Sequence, residues 1–269
     1  MIIADFHTHT HHSSDSVASM PSMVEKAIAL GLQKICFTDH MDYDYPKSSS
    51  LTFVFDTEEY FKELEQMKEQ YKGKIEILRG IELGLQPHVA DKCNRLLDNY
   101  NFDFIIGSSH LALKKDPYNP GYWENKTTEQ GIFDYFEGII KNVAAFNRFQ
   151  VYGHIDYIIR YIPDKSYVFT YQKYADIIDE VIRTILSAGR GIEVNTSGYK
   201  YGLGQTHPSA DILKRYKELG GELITFGSDG HKPEHLAYDF DVAEQLLVSL
   251  GYKYYATFKD QKPEFHKLG

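Results

Sequence analysis

Cysteine is nearly absent from this 269-residue chain: Cys36 and Cys93 are the only two. That makes a disulfide framework implausible, and the lack of thiolates argues against a structural zinc knuckle. Cys36 lies in an apolar, strand-like run and reads as a small buried residue. No stretch approaches the roughly 20 apolar residues of a membrane helix. Met1 to Asp5 carries no basic segment leading into a long apolar run, so no secretory signal is expected. These absences predict a soluble protein of the reducing cytoplasm. Positive charge is also in deficit, with 29 Lys and Arg against 38 Asp and Glu and a net charge of -9. No phosphate-backbone binding surface is advertised, and nucleic acid is not expected as a bulk partner, although a local basic pocket stays open. Solenoid repeats are missing, and Ser48–Ser50 is the sole low-complexity tract. Nothing in the pattern assigns an oligomeric state.

What the chain does have is 42% hydrophobic residues, ample for a sizeable core, and an alternation of two periodicities. Short β-rich runs predict strands at Ile2–Phe6, Lys34–Thr38, Glu76–Arg79, Phe102–Ile106, Phe149–Tyr152, Gly191–Val194 and Leu223–Phe226. Pro21–Gly31 reads as a helix, with proline in its first turn and glycine where a C-terminal cap belongs. Thr57–Tyr71, Gln130–Asn147, Tyr171–Ala188 and Ala210–Leu219 show apolar residues spaced at three and four. Strands alternating with helices mean an α/β protein built on a parallel sheet, and seven repeats are enough to close a barrel in one domain, residues 1–269. Two connections, Asp42–Phe55 and Lys114–Glu129, are long enough to suggest functional lids. The tail from Tyr254 to Phe258 reads as an eighth strand or a packing segment.

The chemistry-bearing residues follow the strands. After the first come His7-Thr8-His9 and then Asp15, and after the second Thr38-Asp39-His40. The third ends in Gly80-Ile81-Glu82 and the fourth in Gly107-Ser108-Ser109-His110. The fifth leads to Gly153-His154-Ile155-Asp156, the sixth to Asn195-Thr196-Ser197-Gly198, and the seventh to Gly227-Ser228-Asp229-Gly230-His231. Barrel enzymes build their sites at these strand ends. Imidazole and carboxylate together suit zinc, manganese or iron. In His7-x-His9 the strand period of two points both rings into the barrel mouth. A carboxylate such as Glu82 can bridge two ions roughly 3.5–4 Å apart. Each piece alone has a bland reading as a turn, a cap or a core histidine. Their joint occurrence at seven strand ends does not, and it predicts a hydrolase holding two or three divalent ions. Asp39 reads as support for a ligand, and Asp156 as a group orienting His154 or a substrate. His11 and His12 read as surface residues, and His88, His235 and His266 as structural or surface positions. His207 is a candidate for proton transfer or substrate contact.

Taken in order, these motifs resemble the polymerase and histidinol phosphatase (PHP) family over nearly the whole chain. The resemblance implies a distorted (β/α)7 TIM-like barrel with a trinuclear metal site that hydrolyses phosphate esters. Within the family, the chain length, the loop after Thr38-Asp39-His40 and the single-domain layout are similar to the branch acting on L-histidinol phosphate in histidine biosynthesis. Carried over residue by residue, the first metal takes His7, His9, Glu82 and Asp229. The second shares Glu82 and adds His110 and His154, and the third uses Asp15, His40 and His231. The Asp15 position is often histidine in the family, which puts the occupancy and identity of the third metal in question. A metal-bridging hydroxide is then expected to attack phosphorus in line, with Asp229 and His207 as candidates for handling the leaving-group proton.

A guanidinium fork matches phosphate geometry, so Arg160 is the candidate grip on the phosphoryl oxygens, with Ser197 donating beside it and Lys200 and Arg190 as weaker candidates. The long loops offer Asp42, Tyr43, Asp44, Phe53 and Phe55, then Tyr118, Tyr122, Trp123 and Glu124, acids and aromatics suited to a small cationic, partly aromatic substrate. The alternatives are a phosphoesterase of the same family acting on nucleotides or short oligonucleotides, an amidohydrolase-type enzyme cleaving C–N bonds, and a non-catalytic metal-binding protein.

Overall fold

The computed structural model describes residues 1–46 and 51–269, so the Ser48–Ser50 tract lies outside the described residues. In chain order the elements are β1 (Ala4–Thr8), α1 (Met20–Ala29), β2 (Lys34–Phe37), β3 (His40–Met41), α2 (Thr57–Gln70), β4 (Glu76–Gly84), α3 (Ala90–Asn99), β5 (Phe104–Ser108), α4 (Pro120–Trp123), α5 (Thr128–Ala145), β6 (Val151–Tyr152), α6 (Ala175–Ser187), β7 (Gly191–Asn195), α7 (Ser197–Lys200), α8 (Ala210–Glu218), β8 (Ile224–Gly227), α9 (Phe240–Ser249), β9 (Tyr254–Lys259) and β10 (Lys262–Lys267). Three helices, α1, α2 and α5, start where a preceding side chain supplies a cap. Ser19 accepts from the Ser22 amide before α1, Asp56 from Glu58 and Glu59 before α2, and Thr127 from Gln130 before α5.

The parallel strands run β1-β2-β4-β5-β6-β7-β8, with β3 continuing the β2 side against β4. Thr8 bridges Gly230 just beyond β8, the Gly230 amide donating to His7 O at 3.2 Å and the His9 amide to Gly230 O at 2.9 Å. First and last strands therefore meet, and the sheet is a nearly closed, distorted TIM-like barrel. Met23, Val24, Leu64, Ile132, Ile182, Leu213 and Leu247 bury the apolar faces of the helices against it. Each such side chain stabilises the fold by roughly 1.5–3 kcal/mol. Among the described residues no helix is long and apolar enough to cross a membrane.

Several strands run further toward their C-terminal ends than the apolar pattern predicts. β1 continues through His7 and Thr8, β4 through Glu82 to Gly84, and β5 to Ser108. Polar site residues end the hydrophobic run while the backbone ladder continues beneath them. The register of β1 against β2 also shifts between Asp5 and Thr8. Ala4 and Phe6 belong to the barrel's inner apolar cluster. Strict alternation would turn His7 outward, and the irregularity keeps it facing the barrel mouth. Helices α3 and α9, and the four-residue α4 and α7, fall outside the predicted helices. In α3 only Cys93 and Leu96 are buried, too few for a readable stripe.

The tail does not join the barrel as an eighth strand. Among the described residues β9 pairs only with β10, antiparallel, and packs Ala256 and Phe258 beneath Phe6, Phe104 and Val151. Asp103 locks this hairpin to the barrel floor. It accepts from the Arg79 amide at 2.9 Å, Arg79 Nε and Nη2 at 3.1 Å each, and the Asp260 amide at 3.2 Å. Burial opposes its charge, but the Arg79 guanidinium and these donors hold its pKa below the ordinary carboxylate value. A depressed pKa means stabilisation fully present above the unfolded value near 4 and lost as pH falls beneath it. Asp103→Asn should cost about 2 kcal/mol at neutral pH, lowering Tm by roughly 4–8 °C. The gap from wild type should close as the melts are taken below pH 4. A constant gap would show that Arg79 does not hold the charged form.

Candidate metal centre

The barrel's C-terminal mouth gathers the candidate ligands around Glu82. The β3–β4 register sets His40 directly opposite Glu82. Oε1 of Glu82 lies 2.7 Å from Ser108 Oγ, 2.9 Å from His154 Nε2 and 3.1 Å from His110 Nε2. Its Oε2 lies 2.8 Å from His40 Nδ1, 3.3 Å from His7 Nε2 and 3.7 Å from His9 Nε2. Asp229 Oδ1 stands 3.5 Å from both His9 Nε2 and His231 Nδ1. Asp15 Oδ2 is 3.2 Å from His231 Nε2 and 3.6 Å from His40 Nε2. All nine expected ligands thus converge on one cluster. Asp229 takes a left-handed φ of +53°, a conformation that acids tolerate better than most residues and that recurs at functional sites.

These side chains fit divalent cations on their own chemistry. His7 Nε2, His9 Nε2, His40 Nδ1 and Glu82 Oε2 are buried and crowd one another at ion-pair distances, yet none makes a hydrogen bond of proper geometry. Buried polar atoms of this kind require an explanation, and cations among them supply one. Burial would depress His7, His40 and His110, yet neighbouring carboxylates overcome it. Glu193 and Glu82 raise His7, Glu82 and Asp15 lift His40 to about 10, and Asp42 and Glu82 raise His110. His9 is driven down by burial and by the nearby imidazoles of His231 and His40. Burial also opposes the Glu82 and Asp229 charges, but the surrounding imidazoles hold both carboxyls well below their ordinary range. Protons therefore compete for the nitrogens that a cation would take, and binding must release them.

A second layer fixes this cluster, and only part of it was foreseen. Asp39 accepts from Thr10 and Ser13, while Ser13 Oγ lies 3.1 Å from His9 Nδ1. Glu193, in the middle of β7, pairs with His7 Nδ1 at 2.5 Å and accepts from the His154 amide at 3.0 Å. Glu193 opens the Glu193-Val194-Asn195-Thr196-Ser197-Gly198 motif, but as a lone acid in an apolar strand it carries no sign of its partner. Gly227 makes room for it, since a Cβ there would stand 2.1 Å from Glu193 Oε1 and 2.4 Å from His7 Cβ. Glu193→Gln should weaken metal binding by about 10–100-fold, read by chelator competition. An unaltered affinity would leave Glu193 a merely structural acid.

Above the cluster opens a cavity of about 440 Å³ lined by His40, His110, His154, Asp229 and His231, with Asp42, Tyr45, Phe53, Asp116, Tyr157, Arg160, Tyr161 and Tyr201. Arg160 Nη2 donates to Ser197 Oγ at 2.8 Å and lies 3.9 Å from Asp229 Oδ2. Its guanidinium stacks 4.1 Å over the Tyr201 ring, and its Nε is buried without a partner. Lys200 Nζ donates to Asp229 O at 2.8 Å. A larger open groove, about 780 Å³, lies at the opposite end of the barrel among Lys68, Lys74, Arg79 and Lys259, and none of the candidate ligands lines it.

Other expected contacts fall elsewhere. Asp42 lines the cavity, but one of its oxygens is spent on His110 Nδ1 at 2.8 Å, while Oδ2, buried without a hydrogen bond, lies 3.9 Å from His40 Nδ1. Tyr43 is half-buried under Lys92 and does not reach the cavity. Trp123 packs over Gly131 and donates to Pro117 O at 2.8 Å. Tyr118 stands 71% exposed at the outer rim against Tyr161. Asp44 pairs with Lys92, Tyr122 is core, and Phe55 packs on Tyr60. Arg190 precedes β7, at the end of the strand away from the site. His207 is fully buried outside the cavity lining, Nδ1 on Asp156 Oδ1 at 2.6 Å, so Asp156 orients His207 rather than His154. His235, read as structural or surface, lines the cavity. Tyr45 and Asp116 were missed. Tyr45 Oη donates to Asp116 Oδ2 at 2.6 Å, pinning the two long loops together.

The model of the PHP domain matches residues 5–197, most of the chain and most of the motifs described above. The chain belongs to the PHP domain family. Among PHP proteins, it is similar to the histidinol-phosphatase of Lactococcus lactis, 32% identical over 266 residues that cover 98% of this chain and 97% of that one. It is also similar to the histidinol-phosphatase of Bacillus subtilis, 24% identical over 88% of this chain and 96% of that one. The crystal structure of the Lactococcus lactis histidinol phosphate phosphatase, complexed with zinc, L-histidinol and phosphate, superimposes with a TM-score of 0.89 at 30% identity, covering 97% of this chain and 98% of that one.

Proposed function

We propose that this chain, acting as one PHP-type phosphoesterase domain over residues 1–269, hydrolyses L-histidinol phosphate to L-histidinol and phosphate in the histidine biosynthesis of the cytoplasm. The observation that carries the reading is the convergence, on one cavity, of a metal-competent histidine–carboxylate cluster and the guanidinium of Arg160. The similarity to an enzyme whose structure holds zinc, L-histidinol and phosphate supports it. Both cysteines are free and buried, as a reducing compartment allows.

Two or three divalent ions, zinc, manganese or iron, would be held by His7, His9, Glu82 and Asp229, by Glu82, His110 and His154, and by Asp15, His40 and His231. When bound, such ions lower the pKa of water and neutralise phosphoryl charge. The chain's own residues do the rest. Arg160 grips the phosphoryl oxygens, kept in place by Ser197 Oγ and the Tyr201 ring. The Asp42 and Asp116 carboxylates and the rings of Tyr45, Phe53, Tyr157 and Tyr161 give the cavity an acidic and aromatic lining suited to an ammonium and an imidazole. Asp229, held ionised, takes part as a ligand, while a proton for the leaving alkoxide is best sought among groups facing the cavity.

The test is phosphate release from L-histidinol phosphate beside nucleotides and sugar phosphates, after chelation and after restoring zinc, manganese or iron. Strong preference for L-histidinol phosphate, lost on chelation and regained with metal, is the expected result. A preference for nucleotides would keep the phosphoester chemistry and remove the substrate. No turnover by metal-replete protein would remove the reading altogether.

A further inference from the structure

A second donor cluster lies outside the cavity. His11 and His12 follow β1 in the loop that also carries Asp15, and Glu63 sits in the second turn of α2. Glu63 Oε2 is 2.8 Å from His12 Nε2 and 3.5 Å from His11 Nε2. The three donor atoms lie within 4.8 Å of one another, and none of these residues lines the cavity.

The sequence pattern placed both histidines on the surface, and for His12 the fold decides otherwise. Its side chain is only 7% exposed, with the ring edge-on to Tyr60 at 5.2 Å and to Phe55 at 5.9 Å. Its amide donates to Thr10 Oγ1 at 3.3 Å. The His11 amide donates to Ala18 O at 2.8 Å, and its ring centroid stands 4.4 Å from that of His12. The His11 side chain remains 47% exposed. One fixed imidazole, one accessible imidazole and one carboxylate on a capped helix are thus already gathered. A tetrahedral cation roughly 2.0–2.2 Å from each donor would space those donors by about 3.4 Å, close to the separations from Glu63.

We propose that His11, His12 and Glu63 bind one exchangeable divalent cation of the zinc, nickel and copper class, separate from the ions of the cavity. The donor set is the His₂Glu combination of open zinc sites, with the exposed His11 side leaving a position for water. Imidazole donors favour these borderline cations over magnesium, calcium and manganese. Occupation would clamp the loop between His9 and Asp15 against α2.

Zinc-loaded protein titrated with further zinc, with stoichiometry from elemental analysis and affinity from calorimetry, tests the site. His11→Gln and Glu63→Gln are the variants, both at positions accessible enough to spare the fold, with Tm and cavity zinc content measured alongside. Wild type should take up one further equivalent, and each variant should bind it at least ~10-fold more weakly, the loss that even an outer partner of a metal causes. One equivalent of copper(II), added to zinc-loaded protein that retains its zinc, should give an electron paramagnetic resonance spectrum with two nitrogen ligands in wild type and one in His11→Gln. Equal stoichiometry and affinity in wild type and both variants would overturn the proposal. So would a copper spectrum that His11→Gln leaves unchanged.

Discussion

Exchanging Glu82 for Gln is expected to lower turnover by roughly 10³-fold or more, because under the proposed function several kcal/mol of transition-state charge stabilisation would depend on cations held by this carboxylate. Glu82 is fully buried, and its two oxygens reach five imidazoles. An amide of the same shape keeps one acceptor but turns an NH₂ toward nitrogens that should present lone pairs to a metal. It also removes a carboxylate that raises His7, His40 and His110, so these imidazoles become easier to deprotonate even as the site loses a ligand. Bound metal, counted after desalting, should fall with activity. Because Gln is isosteric, Tm in the metal-free state should move little. Near-normal turnover together with near-normal metal content would refute the central role of Glu82.

Arg160→Met is the second large effect. kcat/KM for a phosphate monoester should fall about 10²-fold, the equivalent of losing one or two charge-assisted hydrogen bonds to a phosphoryl group. Methionine preserves apolar packing over Tyr201, so the change isolates charge and donors. The loss should appear mainly in KM, and inhibition by inorganic phosphate should weaken in parallel. Unchanged KM and unchanged phosphate inhibition would return Arg160 to a structural role among the tyrosines.

The identities of the cluster residues were legible because all but Asp15, which lies in the loop after β1, sit near the C-terminal end of a strand or just beyond it, and strand ends are written locally, in β-rich runs followed by histidine or acid. The barrel was legible for the same reason, since alternating periods of two and of three to four need no long-range information. The loops were not. Asp42–Phe55 and Lys114–Glu129 stood out by length, yet Tyr43 and Trp123 turn into packing while Tyr45 and Asp116 line the cavity. In an irregular segment, direction is set by what the side chain meets across the molecule, and the chain around it carries no period to read.

By itself, then, the sequence determined the fold class, the supply of imidazoles and carboxylates, and the end of the barrel where they collect. Tertiary structure alone decided the rest. The β1 register shift keeps His7 facing the mouth after Phe6 has filled the interior. The β3–β4 pairing sets His40 against Glu82. Glu193 finds His7 across 186 residues of sequence, and the last strands become a plug beneath the barrel instead of a member of it. Each of these is a pairing between distant segments. Backbone ladders and buried charges select such partners only once the barrel has closed, because register and burial are properties of two strands together.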